Sequence, residues 1–396
     1  MKKIAILTTT RAEYGLLCPL IQQMQTDNAF DVDIIVSGTH LLEKYGNTVK
    51  YIQDDNINIA YKVNIYREDF GSTEKEASES VAEGLKAFAG IFEKERYSAV
   101  LVLGDRYELL SFCVAAMLFR IPIIHLHGGE ITEGAVDDKI RHAITKMASI
   151  HFPSLDSNAK RILQMGEDPK YVYPVGALGI DNIVNFELIP KMDLYQELGI
   201  PEGRTVAAVT FHPVTGEDKK CASEETKTVM EALLESGIYS IVTMPNSDVG
   251  GEEVYNVILE YKEKHPDSFS LHKSLGQKRY LSLLAAVDIM VGNSSSGIIE
   301  SASFRLPTVN IGDRQKGREA PLNVIHCSCS KEKILEAIHL GTSDVFKDGL
   351  KGYINPYGDG NTARKIVDIL KGIDFHDVSL IQKKFWQIDW NGYYGE

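Results

Sequence analysis

Residues Ala99–Glu130 read AVLVLGDRYELLSFCVAAMLFRIPIIHLHGGE, and this stretch decides the architecture. It opens on the apolar run Ala99–Leu103 and turns at Gly104-Asp105-Arg106. A helical run follows, Glu108–Leu118, and then a second largely apolar run, Ile121–Leu126. Strands apolar on both faces are buried on both faces, which points to a parallel sheet covered by helices. Two parallel strands need a long crossover between them, and the helix supplies it.

The alternation continues in both directions. Strand candidates before and after this unit are Ile4–Leu7, Val32–Val36 and Ile150–Phe152, then Val206–Phe211, Ile241–Met244, Ile289–Val291 and Thr308–Ile311. Helix candidates include Thr73–Phe92, Ser223–Ser236, Glu253–His265 and Lys331–His339. This is too much for one small doubly wound sheet. The least regular stretch is Asn185–Arg204, with two prolines ahead of a fresh strand, so a boundary is expected there. The reading is residues 1–185 as one domain, 186–375 as a second, and 376–396 as a tail packing back on the first. The halves echo each other: Leu103-Gly104-Asp105-Arg106 in one answers Val291-Gly292-Asn293-Ser294 in the other. The expected fold class is therefore α/β, two Rossmann-like domains facing a cleft, because open parallel sheets bind ligands beyond the carboxyl ends of their strands.

The 42 Lys and Arg stand against 55 Asp and Glu, a formal net charge of −13. That balance argues against nucleic acid and anionic membrane as partners, since both demand a basic surface. The opening MKKIAILTTT has too short an apolar core for a signal peptide and reads as a first buried strand. No run has the length of a membrane span. Five cysteines without a C-x-x-C spacing suit a reduced, cytoplasmic protein. Cys327-x-Cys329 is too tight for a zinc knuckle, and no metal is expected.

The first strand-to-helix turn, Thr8–Gly15, lacks G-x-G-x-x-G, and no G-x-x-x-x-G-K-[ST] occurs, so dinucleotide and P-loop chemistry are set aside. Arg11 in that turn follows a buried strand. Gly292-Asn293-Ser294-Ser295-Ser296-Gly297 combines small residues with hydroxyl donors, a composition suited to phosphate oxygens. Gly312-Asp313-Arg314-Gln315-Lys316-Gly317-Arg318 gathers cations after another strand. The most reactive stretch is His125-Leu126-His127-Gly128-Gly129-Glu130 followed by Asp137-Asp138 and Arg141-His142. Alternation places His125 and His127 on one face, the paired glycines would admit a substrate beside Glu130, and Asp105 and Glu108 add carboxylates for acid–base work. His212 ends a second-half strand beside Pro213, and Asn246 closes another in position to contact a base or ribose.

Taken together and in order, several of these segments resemble the hydrolysing UDP-N-acetylglucosamine 2-epimerases of sialic-acid biosynthesis. They are Arg11-Ala12-Glu13-Tyr14-Gly15, Gly104-Asp105-Arg106, His127-Gly128-Gly129-Glu130, Asp137–Met147, Gly292–Gly297 and Asn310–Arg318. The resemblance implies a glycosyltransferase-B type fold, no obligatory cofactor, a UDP-sugar as substrate, and a homo-oligomer, dimer or tetramer. It implies conversion of UDP-N-acetylglucosamine and water to N-acetylmannosamine and UDP. Departure of UDP builds positive charge at C1 and acidifies the C2–H, a glycal forms, and water then adds at C1 while C2 is reprotonated on the other face. Carried over by position, Asp105 and Asp137 are carboxylates of the chemistry, and His212 joins them or the nucleotide. Arg11, Arg106, Asn246, Ser294, Ser295, Ser296, Glu300 and Arg314 are UDP-binding positions. His127 stands where vertebrate relatives have a glutamate, so proton transfer falls to His127 or to Glu130. Gly15 stands where those relatives place a hydroxyl, and a kinase domain is not expected.

One rival is the same reaction on UDP-2,4-diacetamido-2,4,6-trideoxyglucose, which differs at C4 and C6, away from the nucleotide. Further rivals are a non-hydrolysing epimerase, a glycosyltransferase and a nucleotide-sugar sensor. The negative net charge meets an anionic substrate if Arg11, Arg106, Arg314, Lys316 and Arg318 line the site while outer helices such as Thr73–Glu95 carry the acidic excess.

Overall fold

The computed structural model describes residues 1–67, 73–132, 136–184, 187–212, 219–243, 251–272 and 275–387. Two compact units divide the chain, one formed by Met1–Asn182 with Gly360–Glu396, the other by Ile183–Asp359. The first holds β1 (Lys2–Thr8), β2 (Phe30–Ser37), β3 (Ile59–Val63), β4 (Ala99–Leu103), β5 (Ile123–Leu126) and β6 (Ile150–Phe152). The second holds β7 (Val206–Thr210), β8 (Tyr239–Thr243), β9 (Phe269–His272), β10 (Ile289–Gly292), β11 (Thr308–Ile311) and β12 (Val324–Cys327).

The strand orders are β3-β2-β1-β4-β5-β6 and β12-β11-β10-β7-β8-β9, with every pairing parallel. Counted within its own unit, each sheet has the doubly wound order 3-2-1-4-5-6, and the order reverses between β1 and β4 and between β7 and β10. Three strands escape a search for apolar runs: β3, β9 and β12. All three are edge strands, with burial patterns mixed along their length. An edge strand has one neighbour and part of its surface in water, so its sequence need not be continuously apolar.

Period-two alternation distributes the buried strands between two cores per sheet. In β1, Ile4 and Ile6 face a core shared with Leu17, Ile21 and Ile124, whereas Ala5 and Leu7 face one built around Phe88, Phe92 and Phe112. Phe88 and Phe112 meet edge to face with centroids 5.1 Å apart. The helix Glu74–Lys94 on that second face begins at Thr73 with a reciprocal capping box to Glu76. In the other unit Ala207 and Val209 face one core, Val206 and Ala208 the other.

The chain rejoins the first unit at Gly360, ahead of the boundary after residue 375 read from sequence. The reason is the helix Thr362–Gly372, which buries Ala363, Ile366, Val367 and Leu370 in the core beneath β1. Its first amides are tied down by a distant carboxylate: Thr362 N–H and Ala363 N–H donate to the two oxygens of the buried Asp181 at 2.9 and 2.6 Å. A carboxylate at a helix start satisfies orphan donors and complements the positive end of the dipole.

Candidate functional site

In the first unit the ends of β4 and β5 carry the reactive side chains. Gly104 has φ +86, a left-handed turn that a side chain would strain, and it swings Asp105 and Arg106 out of the sheet. Arg106 then sits at the N-cap position of the helix Tyr107–Leu118. Its guanidinium donates to one oxygen of the fully buried Glu108 at 2.5 and 3.2 Å, and the Tyr66 hydroxyl donates to the same oxygen at 2.7 Å.

Beside this pair lies Glu13, also buried, accepting from Thr9 N–H at 2.9 Å and the Thr9 hydroxyl at 2.7 Å. Burial pushes the Glu13 carboxyl up to about 7, against the opposing pull of the Thr9 bonds and the Arg106 charge.

Arg141 is the hub of the cluster. It lies one turn beyond Asp137 on the helix Val136–Met147, on the same face by the i, i+4 rule. The residue is 5% exposed, and its guanidinium forms an ion pair with Asp105. It also donates to the Glu130 carbonyl at 2.8 Å, to Asp138 at 3.4 Å and to the Thr132 hydroxyl at 3.2 Å. The Asp137 carboxyl is raised, first by burial and then by the nearby Asp105 charge, with Arg106 and Arg141 opposing. A carboxyl raised toward its neutral form beside an ion-paired carboxylate is the arrangement by which two like groups divide acid and base roles.

His127 and Glu130 are brought together, with Nδ1 of His127 3.5 Å from Oε1 of Glu130. Leu178 N–H donates to His127 Nε2 at 3.4 Å, which leaves the ring proton on Nδ1, toward the carboxylate. The Ser154 hydroxyl holds the same Glu130 oxygen at 2.8 Å.

Two readings of this segment are corrected. His127 does not continue the alternation of β5: the strand ends at Leu126, and His127 takes φ +61. His125 is therefore separated from it in role. Fully buried, with Nε2 2.8 Å from the Gly104 carbonyl and Nδ1 3.1 Å from the Thr145 hydroxyl, it is pushed down to about 3 by burial and holds the β4 turn as a neutral ring. The paired glycines do not open room for a substrate. A Cβ on Gly129 would lie 2.5 Å from the Asn158 carbonyl oxygen, and one on Gly128 would lie 2.9 Å from His125 Nδ1. Their smallness is used up by protein packing.

Arg11 begins the helix Arg11–Thr26, exposed, with its guanidinium 4.3 Å from the Tyr51 ring centroid.

The second unit presents a different kind of site at the ends of β7, β10 and β11. Gly292 has φ +145, and a Cβ there would fall 1.9 Å from the Thr210 carbonyl oxygen, so β7 and β10 approach as only glycine allows. The buried Asn293 amide clamps the His212 backbone, accepting from its N–H at 2.7 Å and donating to its carbonyl at 2.8 Å. The Asn293 carbonyl in turn accepts from Arg314 at 3.1 Å and from Gln315 at 2.9 Å. Thus His212 and Arg314 are brought together through Asn293.

Tyr280 donates to the Ser296 hydroxyl at 2.8 Å, and Ser296 donates to the Glu300 carboxylate. Burial raises the Glu300 carboxyl, with the Ser296 bond opposing. Ser296 is thus engaged within the protein. Ser294 accepts from Ser296 N–H at 3.4 Å, and Ser295 precedes the four-residue helix Ser296–Ile299. Among the cations read as site-lining, Lys316 is exposed and 3.9 Å from Asp313. Asn246 and Pro213, the residue after His212, lie outside the described residues.

Glu13, Tyr66, Asn293 and Gln315 were not singled out from sequence, and Arg141 was named only within the stretch that follows Asp137-Asp138. Arg141 had a signal, its spacing from Asp137, and Asn293 and Gln315 stand inside glycine-bounded motifs. Tyr66 had none, because its contact with Glu108 joins segments that are distant in sequence. Among the described residues no three His, Cys, Asp or Glu side chains are grouped to hold a metal ion, and no helix is long and apolar enough to cross a membrane.

Residues 22–371 match the family model for UDP-N-acetylglucosamine 2-epimerase. The chain is 36% identical over 377 residues to a UDP-N,N'-diacetylbacillosamine 2-epimerase (hydrolyzing) of Legionella pneumophila, spanning 95% of this chain and 97% of that protein. It is 38% identical over 325 residues to a GDP/UDP-N,N'-diacetylbacillosamine 2-epimerase (hydrolyzing) of Campylobacter jejuni, spanning 82% and 84%. A solved UDP-GlcNAc 2-epimerase of Neisseria meningitidis, bound to UDP-GlcNAc, superposes with a TM-score of 0.75 at 17% identity, covering 94% of this chain and all of that one. That likeness shows a shared fold, of glycosyltransferase-B type.

Proposed function

We propose, for a chain that belongs to the UDP-N-acetylglucosamine 2-epimerase family, that it is a hydrolysing 2-epimerase of a UDP-linked N-acetylated hexosamine. The observation that carries the reading is the Asp105–Arg141–Asp137 arrangement. A C2–H next to a departing diphosphate has no carbonyl to acidify it, so the enzyme must set a base and an acid close together. Asp105, oriented by the buried Arg141, is the proton acceptor at C2. Asp137, raised by burial and by the Asp105 charge, is the donor that completes the exchange. The His127–Glu130 pair activates the water that adds at C1. Arg106, held by Glu108, balances diphosphate charge. In the second unit Ser294, Ser295, Glu300 and Arg314 hold the nucleotide, with His212 set by Asn293, and Asn246 is proposed for the same task.

The sugar we propose is the 2,4-diacetamido-2,4,6-trideoxy one, on the names carried by the Legionella and Campylobacter relatives at 36% and 38% identity. UDP-N-acetylglucosamine, yielding N-acetylmannosamine for sialic-acid and capsule synthesis, is the second reading. It rests on the family's description, since the motifs that grip UDP do not separate two sugars that differ at C4 and C6. We place the activity in the cytoplasm, where UDP-sugars are made, and in a homo-oligomer.

Purified protein incubated with each UDP-sugar and followed by phosphorus NMR separates the readings. Free UDP is expected from the diacetamido sugar. UDP released only from UDP-N-acetylglucosamine reverses the order of the two, and a persistent pair of UDP-sugars from either contradicts hydrolysis.

A further inference from the structure

The far end of the helix that carries Asp137 and Arg141 is held by the C-terminal segment of the chain. The helix Val136–Met147 has twelve residues, about 18 Å at 1.5 Å per residue. Its last carbonyls need partners from outside the helix. Lys383 supplies them, donating from Nζ to the Lys146 carbonyl at 2.9 Å and to the Ala148 carbonyl just beyond the helix at 2.5 Å.

The same ammonium reaches Glu167 at 2.7 Å. Glu167 is 2% exposed and also takes Lys146 Nζ at 2.7 Å and His151 Nε2 at 3.1 Å. Burial alone would raise that carboxyl, yet His151, Lys146 and Lys383 hold it down at about 2.

The segment is fastened on either side of Lys383. Ser149 donates to the Leu380 carbonyl at 2.5 Å. Trp386 N–H donates to the Gly166 carbonyl at 2.9 Å, and the Phe385 ring lies against Gly166, where a Cβ would come within 2.4 Å of it. The Lys146 ammonium stands 4.8 Å from the Phe385 ring centroid.

We propose that this strap is part of the reaction machinery: Lys383 is a positioning residue that fixes the carboxyl end of the helix Val136–Met147 and thereby the placement of Asp137 and Arg141 against Asp105. A stiff helix transmits an error at one end to the other, and the reactive residues sit toward its opposite end. Cations at a helix carboxyl terminus oppose the dipole and satisfy its carbonyls. The strap holds the helix through those groups, and no described contact joins it to the reactive carboxylates themselves. The proposal rests on the reading of Asp105 and Asp137 as the reacting carboxylates.

The test compares Lys383→Met, Lys383→Arg and Phe385→Ala in the full chain. Steady-state turnover is measured with whichever UDP-sugar the wild type consumes, and amide hydrogen exchange across residues 137–147 is followed in parallel. Lys383→Met is expected to lower kcat about tenfold with KM within about twofold, since small misplacements of reacting groups cost rate more than binding. Lys383→Arg should recover at least half the rate, Phe385→Ala should lose about threefold, and exchange in 137–147 should quicken in the order of the losses.

A folded Lys383→Met with kcat within about twofold of wild type overturns the proposal, as does Lys383→Arg no faster than Lys383→Met. Should Lys383→Met fail to fold, Phe385→Ala with unchanged kcat and unchanged exchange overturns it equally. If the wild type consumes no UDP-sugar, it is the proposed function that fails. The exchange data then stand alone: faster exchange in 137–147 supports the strap, and unchanged exchange removes it.

Discussion

The two units set different chemistry on the same sheet order. At the ends of β4 and β5 the side chains are ionic and coupled: Asp105 with Arg141, Arg106 with Glu108, Asp137 raised beside Asp105. At the ends of β7, β10 and β11 they are mostly amides and hydroxyls: Asn293 on the His212 backbone, Gln315 on the Asn293 carbonyl, Tyr280 on the Ser296 hydroxyl. Proton transfer needs groups whose charge changes and whose neighbours answer that change. Holding a nucleotide needs fixed donors and acceptors. We read the contrast as a division of labour, in which the first unit is proposed to move protons and the second to hold the nucleotide.

The strongest way to break the contrast is Asp105→Asn. The account expects kcat to fall about 10³-fold, within the usual span for a lost acid–base group, while calorimetry finds UDP affinity within about twofold of wild type. A variant that loses UDP binding in step with turnover would place Asp105 in the grip.

Next comes Arg141→Met, which strips a buried cation from three carboxyl and carbonyl partners. Turnover should fall about 100-fold and denaturant unfolding should show a loss of about 3 kcal/mol, the scale for breaking a buried pair. A variant as stable as wild type would mean that the ion pair is a surface contact.

Asn293→Ala sharpens the other side. Two hydrogen bonds to the His212 backbone are lost, so UDP affinity should weaken about tenfold, the equivalent of about 1.4 kcal/mol, with kcat within about threefold. A variant impaired in kcat alone would undo the division between the units.

The last expected effect leaves turnover aside and is a pH dependence of stability from Glu13. Its carboxyl is raised from 4.5 to about 7 in the folded chain, so between those values the native state holds a proton that the unfolded chain releases. Stability must then fall as pH rises from about 4.5 to 7, by at most about 3.5 kcal/mol at about 1.4 kcal/mol per pKa unit. Glu13→Gln should flatten that slope in thermal scans across the window, and an unchanged slope would assign it to another group.

What was legible in the sequence follows the physics of burial. Nine strands announced themselves through apolar runs, among them the edge strand β6, which is buried along its length, whereas the partly exposed edge strands β3, β9 and β12 did not. The return of the chain at Gly360 was hidden, since nothing in an amphipathic helix such as Thr362–Gly372 says which core it will join. At the proposed site, the candidates came from contiguous motifs: Asp105, Arg106, His127, Glu130, Asp137, Ser296 and Glu300. The partners that orient them come from elsewhere in the chain, as Tyr66 does for Glu108 and Ser154 for Glu130. His125 misled because alternation assumes a strand continuing through residue 127, and the backbone turns left-handed there.

The most direct test of hydrolytic 2-epimerisation by this chain is proton NMR of the reaction run in D2O with the UDP-sugar it consumes. The account predicts free UDP and a released manno-configured sugar carrying one deuterium at C2, because the C2–H is removed and replaced from solvent. Release of a gluco-configured sugar that keeps its C2 proton would contradict it.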